Sequence, residues 1–452
     1  MHSKKPQTKL TKEELQTVGI LSIGTFLEYF DKMLYLHTAV ILNDVFFPDT
    51  HLVIKSLIPA FSFCTNYLLT PFGSILFGYV GDTIGRRSAI VLSSMLMSIC
   101  CITVAFLPTY AQIGISAPIL LTACRMIQGI SGVSEITGVE IYLTESIKHP
   151  LKYQAVALPY AIATLGSAFA LGITAFFTNI TLPYQYFPIQ GWRIAFFVGS
   201  IIGIIGAITR GSIKEASEFA NRKKMLKDQF KKANIEWSKN NLSLNPHVPL
   251  STSVAYFFVH CGMPVCAYFI YFHCGSILHH TFGFTPAQVV KNNLFPTILN
   301  VIALLGTVYC SGIIAPLKII KLQVALFITG IIFFLIAFNI WHSSNTILLF
   351  QCILVFVRFD YMPAAPIFFK HFPILQRFRY AILIRAISTL ITFGVAAFGF
   401  ELVTKEFGTN GILLIFFPIG ICFTWGIYHF EQKEKVSQRQ GIEIQKNTIS
   451  SN

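Results

Sequence analysis

Apolar runs long enough to cross a lipid bilayer recur along almost the whole chain, and few folds can accommodate them. A bilayer's hydrocarbon core is about 30 Å thick, so a run of about 18 or more apolar residues reads as a crossing helix. Twelve such stretches can be marked, at 18–42, 56–80, 88–108, 114–143, 154–178, 192–209, 252–272, 291–315, 322–341, 346–369, 380–402 and 411–429. Composition agrees. The chain is 54% hydrophobic and 12% charged, where a soluble domain carries about 25% charged residues. The first 17 residues are polar and no short apolar run ends in a small-residue cleavage site. The first apolar stretch is therefore expected to be a retained helix.

The polar stretch 211–250 divides the chain. Counted with Arg210, it holds nine Lys/Arg against four Asp/Glu. The expected organisation is a six-helix half at 1–210, a basic linker at 211–250, a second six-helix half at 251–430 and a short tail at 431–452. The tail has no sustained apolar heptads, so no coiled coil is expected. With the N-terminus in the cytoplasm, 26 of the 34 basic residues fall on the inner side. This is the positive-inside pattern, and it places both termini in the cytoplasm. The net charge of +14 is thus read as topology, reinforced by anionic inner-leaflet lipid, and not as nucleic-acid binding. The ten cysteines are scattered and form no CxxC pair, so neither a disulfide framework nor a redox motif is expected. The run "HCGMPVCAYFIYFHCG" at 260–275 clusters His and Cys, but its spacing fits no closed zinc site, and no metal or other cofactor is expected. No nucleophile–base set or phosphate loop marks an enzyme.

After the second span comes "PFGSILFGYVGDTIGRRSAI", 71–90. Gly78 and Gly85 allow close approach and a tight turn. Asp82 can face a helix N-terminus, and Arg86 and Arg87 fall at the inner face. This stretch resembles the G-x-x-x-D-x-x-G-R-R signature of major facilitator transporters. That resemblance implies an all-α membrane fold of twelve helices in two six-helix halves, with a gating role for Asp82 and Arg86. "GTFLEYFDKMLY" at 24–35, "RMIQGISGVSEITGVEIYLTES" at 125–146 and "GWRIAFFVGSIIGIIGAITRGSIKEASEF" at 191–219 resemble the metabolite:proton symporter family, nearest to its bacterial proline/glycine betaine carriers. The second half matches less well. "KHFPILQRFRYAI" at 370–382 has Lys370 and His371 where that family has an acidic residue. "YCSGIIAPLKIIK" at 309–321 lacks the Asp and the Arg pair of a second signature.

Several charges fall inside the spans, where an ionisable side chain is costly and marks a functional candidate. In the first span Glu28 lies one helical turn from both Asp31 and Lys32. Asp31 matches the family pattern, whereas Lys32 replaces an aromatic. Glu28 is open to two readings, a proton-coupling carboxylate or one neutralised by Lys32. In the fourth span Arg125 and Glu135 are ten residues apart, about 15 Å along a helix, so they cannot pair with each other. Asp31, Glu28 and Glu135 are the coupling candidates. Arg125, Arg358, Asp360 and Arg385 are the substrate or gating candidates, since Arg can hold a carboxylate bidentately. Helical spacing keeps Arg358 and Asp360 from facing each other.

The family resemblance implies proton-coupled symport of a small polar solute across a bacterial cytoplasmic (inner) membrane by alternating access. The solute class it suggests first is a proline- or betaine-type osmolyte. An organic acid such as a dicarboxylate, citrate or oxoglutarate is the alternative. A sensor or scaffold that no longer transports is a further one, motivated by Lys32 and the divergent second half. The expected partners are the solute, protons and membrane lipid, with a monomer as the simplest assembly.

Overall fold

The computed structural model describes residues 10–47, 67–177, 181–182, 189–232 and 248–450. The second predicted span and the linker both lie partly outside these residues. In the first half the helices are α1 (Lys12–Phe46), α2 (Thr70–Thr83), α3 (Arg86–Phe106), α4 (Ser116–Ser146), α5 (Lys152–Phe177) and α6 (Gly191–Arg210). A polar helix, α7 (Ser217–Lys232), follows in the linker. In the second half α8 (Leu250–Ala267) passes through a π-helical turn, Tyr268–His273, into α9 (Cys274–Phe282). Then come α10 (Pro286–Ser311), α11 (Pro316–Ile340), α12 (Ser344–Val357), a short α13 (Ala365–Lys370), α14 (Arg377–Phe407) and α15 (Leu413–Ser450).

Local chemistry sets several of these ends. Thr285 caps α10: its side chain accepts from the Gln288 amide, Gln288 reaches back to the Thr285 amide, and Pro286 opens the first turn. Gly283, at φ +69°, lets the chain leave α9 in a left-handed conformation. The Ser343 hydroxyl caps α12.

Eight helical stretches of the described residues are long and apolar enough to cross a membrane, the last of them, Arg377–Arg439, covering two predicted spans. The predicted first and fourth spans, now α1 and α4, are long helices too. Both carry charged residues along their length, Glu28, Asp31 and Lys32 on α1 and Arg125, Glu135, Glu140 and Glu145 on α4. Large apolar side chains such as Phe72, Ile99, Ile208, Phe333 and Phe398 are more than half exposed on the outer faces. Such a surface suits lipid and not water.

Within the first half α1 packs on α5 and α6, and α3 packs on α4 and α6; within the second, α8 packs on α14 and α15. The halves meet along α5 against α10 and along α14 against α2 and α4.

One expectation about the helices needs correction. The tenth span, expected as one helix over 346–369, stops at Val357 and resumes only at a 3-10 turn, Met362–Ala364. Pro363 and Pro366 cannot donate the amide hydrogen bonds of a continuing helix, and the Asp360 carboxylate takes the Met362 amide instead. The stretch expected as a tail, from 431, is helical as far as Ser450 and continues α15.

Candidate functional site

A cavity of about 380 Å³ lies between the halves. Its charged lining comes from Glu28 and Lys32 on α1, from Arg358 just after α12 and from Arg385 on α14, with Tyr29, Tyr160, Asn293 and Asn300 between them. Of the carboxylates proposed from sequence for coupling, Glu28 alone lines this cavity. Its Oε1 takes a hydrogen bond from the Lys32 ammonium, and its Oε2 is buried with no hydrogen-bond partner among the described residues. Both open readings of Glu28 therefore keep a physical basis. The pair exists, and one carboxylate oxygen stays unsatisfied.

Asp31 sits behind this wall in a polar cluster. Arg125 Nη1 lies 3.0 Å from Asp31 Oδ2, and Gln128 Nε2 donates to Oδ1 over 2.9 Å. The Cys101 thiol donates to the same Oδ1 over 3.3 Å. The Arg125 guanidinium also lies 3.9 Å from the centre of the Tyr35 ring, a cation–π contact. Arg125 thus binds Asp31 and does not reach the cavity. Glu135 is likewise turned away, into a cluster with Arg210, Ser93 and Ser94. The Ser93 and Ser94 hydroxyls donate to its Oε1 over 2.7 and 2.8 Å.

Arg210 is the plainest residue that the sequence reading misplaced. It was counted with the basic linker, yet its side chain is fully buried and also donates to the Leu21 carbonyl. A charge at the end of an apolar run looks like a loop cation until its partner, 75 positions away, is known.

The helix break after Val357 overturns the spacing argument for Arg358 and Asp360. On non-helical backbone they face each other, with Nη2 3.0 Å from Oδ2. Asp360 Oδ1 also takes the Met362 amide at the following turn. Arg385 reaches across to the first half, where its Nη1 contacts Glu140 Oε2 over 3.2 Å and Thr137 Oγ1 over 2.9 Å. The Tyr361 hydroxyl donates to Glu140 Oε1 over 2.9 Å. Sequence reasoning saw Glu140 without assigning it and missed Tyr361, whose only signal is its place in the run "VRFDY".

The glycine signature forms a further polar cluster at the end that carries the linker. Arg86 Nη1 lies 2.8 Å from Asp82 Oδ1, and its Nε lies 3.2 Å from Glu145 Oε2. Asp82 also accepts the Phe378 and Arg379 amides of the first turn of α14, over 3.3 and 3.0 Å. A carboxylate is favourable at that helix start. Arg377 Nη1 crosses to Glu145 Oε1 over 3.1 Å. The Arg87 side chain donates to the Gly211 carbonyl. Gly85 has φ +156°, and a Cβ there would meet Glu215 Oε2 at 1.9 Å. Glu215 Oε1 in turn accepts the Arg86 amide over 2.9 Å, tying the linker to the start of α3. Gly78 packs on the backbone of Arg379. The last Glu of the fourth-span pattern, Glu145, was visible in the sequence, but its role as a hub was not. Among the described residues no group of three or more His, Cys, Asp or Glu comes together as a metal site.

A family model described as Major Facilitator Superfamily matches residues 21–370. The chain is 32% identical over 205 residues to the proline/betaine transporter of Salmonella typhimurium, a match that covers 45% of this chain and 41% of that protein. It is 31% identical over 211 residues to a putative proline/betaine transporter of Staphylococcus aureus, covering 46% and 45%. The matched stretch thus spans less than half of each relative. Among solved structures, the proton:xylose symporter XylE bound to 6-bromo-6-deoxy-D-glucose superposes with a TM-score of 0.72 at 13% identity, over 93% of this chain and 95% of that one. A partially occluded inward open conformation of the xylose transporter XylE from E. coli gives a TM-score of 0.61 at 12% identity, over 93% and 99%. At such identity the likeness is one of fold.

Proposed function

Because the chain belongs to the major facilitator superfamily, we propose that it works as a proton-coupled symporter, carrying a small polar solute by alternating access through the cavity between its halves. The observation that carries this reading is the cavity wall itself. Charged groups from both halves converge there, and one of them, Glu28, is a buried carboxylate with an unsatisfied oxygen. An ionisable group that lines an internal cavity and is incompletely paired is suited to exchanging protons with it.

Asp31 and Glu135 remain coupling candidates on this reading. Each carboxylate is held by one arginine, Arg125 or Arg210, so protonation would release that cation and loosen the packing of α1, α4 and α6. The polar cluster at the linker end serves as the gate, with the linker and both termini in the cytoplasm of a bacterial cell. The names of the sequence relatives favour a proline- or betaine-type solute. The cation-rich cavity wall favours the second reading, an organic acid.

The test is uptake into proteoliposomes under an imposed inward proton gradient, with labelled proline, betaine, succinate and citrate, with and without an uncoupler. Uncoupler-sensitive accumulation of one solute is expected. Asp31→Asn should lose accumulation driven by the gradient while keeping part of its solute exchange. Accumulation that survives the uncoupler undiminished would refute proton coupling, and full gradient-driven uptake by Asp31→Asn would remove Asp31 from it.

A further inference from the structure

We propose that Lys32 is the specificity-determining residue of the cavity, that protonation of Glu28 frees it, and that it then receives a carboxylate of an anionic solute. The proposal rests on the symport reading and names the solute class and the device within it.

Within each ion pair of the wall the two partners differ in exposure. The Lys32 side chain is 23% exposed and its partner Glu28 2%. Arg385 is 13% exposed and Glu140 2%, and Arg358 is 6% exposed and Asp360 2%. In every pair the cation stands forward and the carboxylate behind. Glu140 and Asp360 do not line the cavity at all. A solute entering this space meets ammonium and guanidinium groups first.

Charge balance then singles out one pair. Arg385 is matched by Glu140, which also takes the Tyr361 hydroxyl, and Arg358 is matched by Asp360, which also takes a backbone amide. Both carboxylates are well supported. Glu28 is not: Lys32 holds one oxygen and, among the described residues, nothing holds the other. The other charges that act on Glu28 are Glu135 and Glu140 on α4 and Arg385 on α14. Glu135 is engaged by Arg210, and Glu140 and Arg385 engage each other. Glu28 is therefore the wall carboxylate that can take a proton without breaking a second supporting contact.

When it does, Lys32 loses its counter-ion. Its remaining neighbours are the Tyr29 and Tyr67 rings, with the ammonium 5.7 and 5.9 Å from their centres, and the like charge of Arg385. The wall then carries one uncompensated positive charge. A solute with net negative charge restores neutrality, whereas a zwitterion would bring its own cation into a space where no described carboxylate is free. Proton and anion thus favour each other's binding, and one proton crosses with each solute molecule. Lys32 replaces an aromatic of the family pattern, so the device belongs to this chain.

Equilibrium binding to the purified full-length protein in nanodiscs tests this directly, with succinate and lactate as anions and betaine as zwitterion, at mildly acidic and mildly alkaline pH. Anion binding to the unmodified protein should tighten as pH falls. Glu28→Gln should bind anions equally at both pH values. Lys32→Gln should weaken anion binding by about 30-fold or more, Lys32→Arg should restore most of it, and betaine should be unaffected. The double variant Glu28→Gln/Lys32→Gln removes both charges and guards against misfolding of the single ones. Unchanged anion affinity in Lys32→Gln, or pH dependence persisting in Glu28→Gln, would overturn the proposal. Gradient-driven uptake of betaine by the unmodified protein, with no binding of either anion, would overturn it too and leave symport standing. Loss of anion binding in Lys32→Gln, with no gradient-driven uptake by the unmodified protein, would support the role of Lys32 and refute symport.

Discussion

Arg210 and Glu135 carry much of the first half's buried polarity between them. The guanidinium binds the carboxylate, the Ser94 hydroxyl and the Leu21 carbonyl, so three helices converge on one cation. Removing it would strand Glu135 as a buried charge, at a cost of about 3–5 kcal/mol. Arg210→Ala should therefore lower the thermal unfolding temperature of the purified protein sharply. Arg210→Ala combined with Glu135→Ala should recover part of the loss, since the stranded charge goes too. Additive losses in the double variant would mean that the pair does not interact. At this scale the sequence spoke unevenly. Hydropathy located Glu28, Asp31, Glu135 and Arg125 inside spans, because a charge in an apolar run is visible locally. It could not say which of them line the cavity, because a residue's facing depends on neighbours tens to hundreds of positions away. Arg210 and the pairing of Arg358 with Asp360 failed for related reasons. The first needed a distant partner, and the second needed the helix break.

Helices set how closely the halves can approach. The Gly81 side of α2 meets the Phe378 ring of α14, and a Cβ at Gly81 would lie 2.4 Å from that ring. A larger side chain must push the two helices apart. Gly81→Leu should therefore keep the linker end from closing fully and lower turnover with normal insertion into the membrane. Faster labelling of a cysteine placed on the first turn of α14, compared with the same cysteine beside Gly81, would establish the separation. Equal labelling and turnover would mean that the Phe378 ring simply rotates away. The order of the helices was legible from apolar run length and polar interruptions. The break at Val357 was less so, because "YMPAAPIFF" remains apolar and hydropathy does not register a missing amide hydrogen.

For the molecule as a whole, the polar ties between the halves belong to two levels. At the linker end Asp82 binds the start of α14, Arg86 donates to the Ile374 carbonyl, and Arg377 binds Glu145. Deeper in, Arg385 and Tyr361 bind Glu140. Alternating access requires both levels to part. Arg377→Met removes one tie while leaving Glu145 paired with Arg86, and hydrogen bonds to charged groups contribute about 1.5–3 kcal/mol each. The population should shift toward the state open at the linker end, seen as a longer distance between one spin label on each half. An unchanged distance distribution would mean that Arg377 holds nothing shut. The two-half plan was legible from the basic linker, whereas these ties were not, since each joins residues from opposite halves. Their chemistry has a further consequence. A seam closed by oily surfaces would resist water, and prying it apart would grow costlier with its area. Where this seam is held by carboxylates, guanidiniums and backbone dipoles, incoming water is a replacement partner, because those groups can be hydrated on losing the other half; apolar contacts such as Phe378 on Gly81 close the rest. Opening then becomes an exchange between two sets of hydrogen bonds of similar strength. Such a door swings both ways, which suits a machine that must return to its starting point after every cycle.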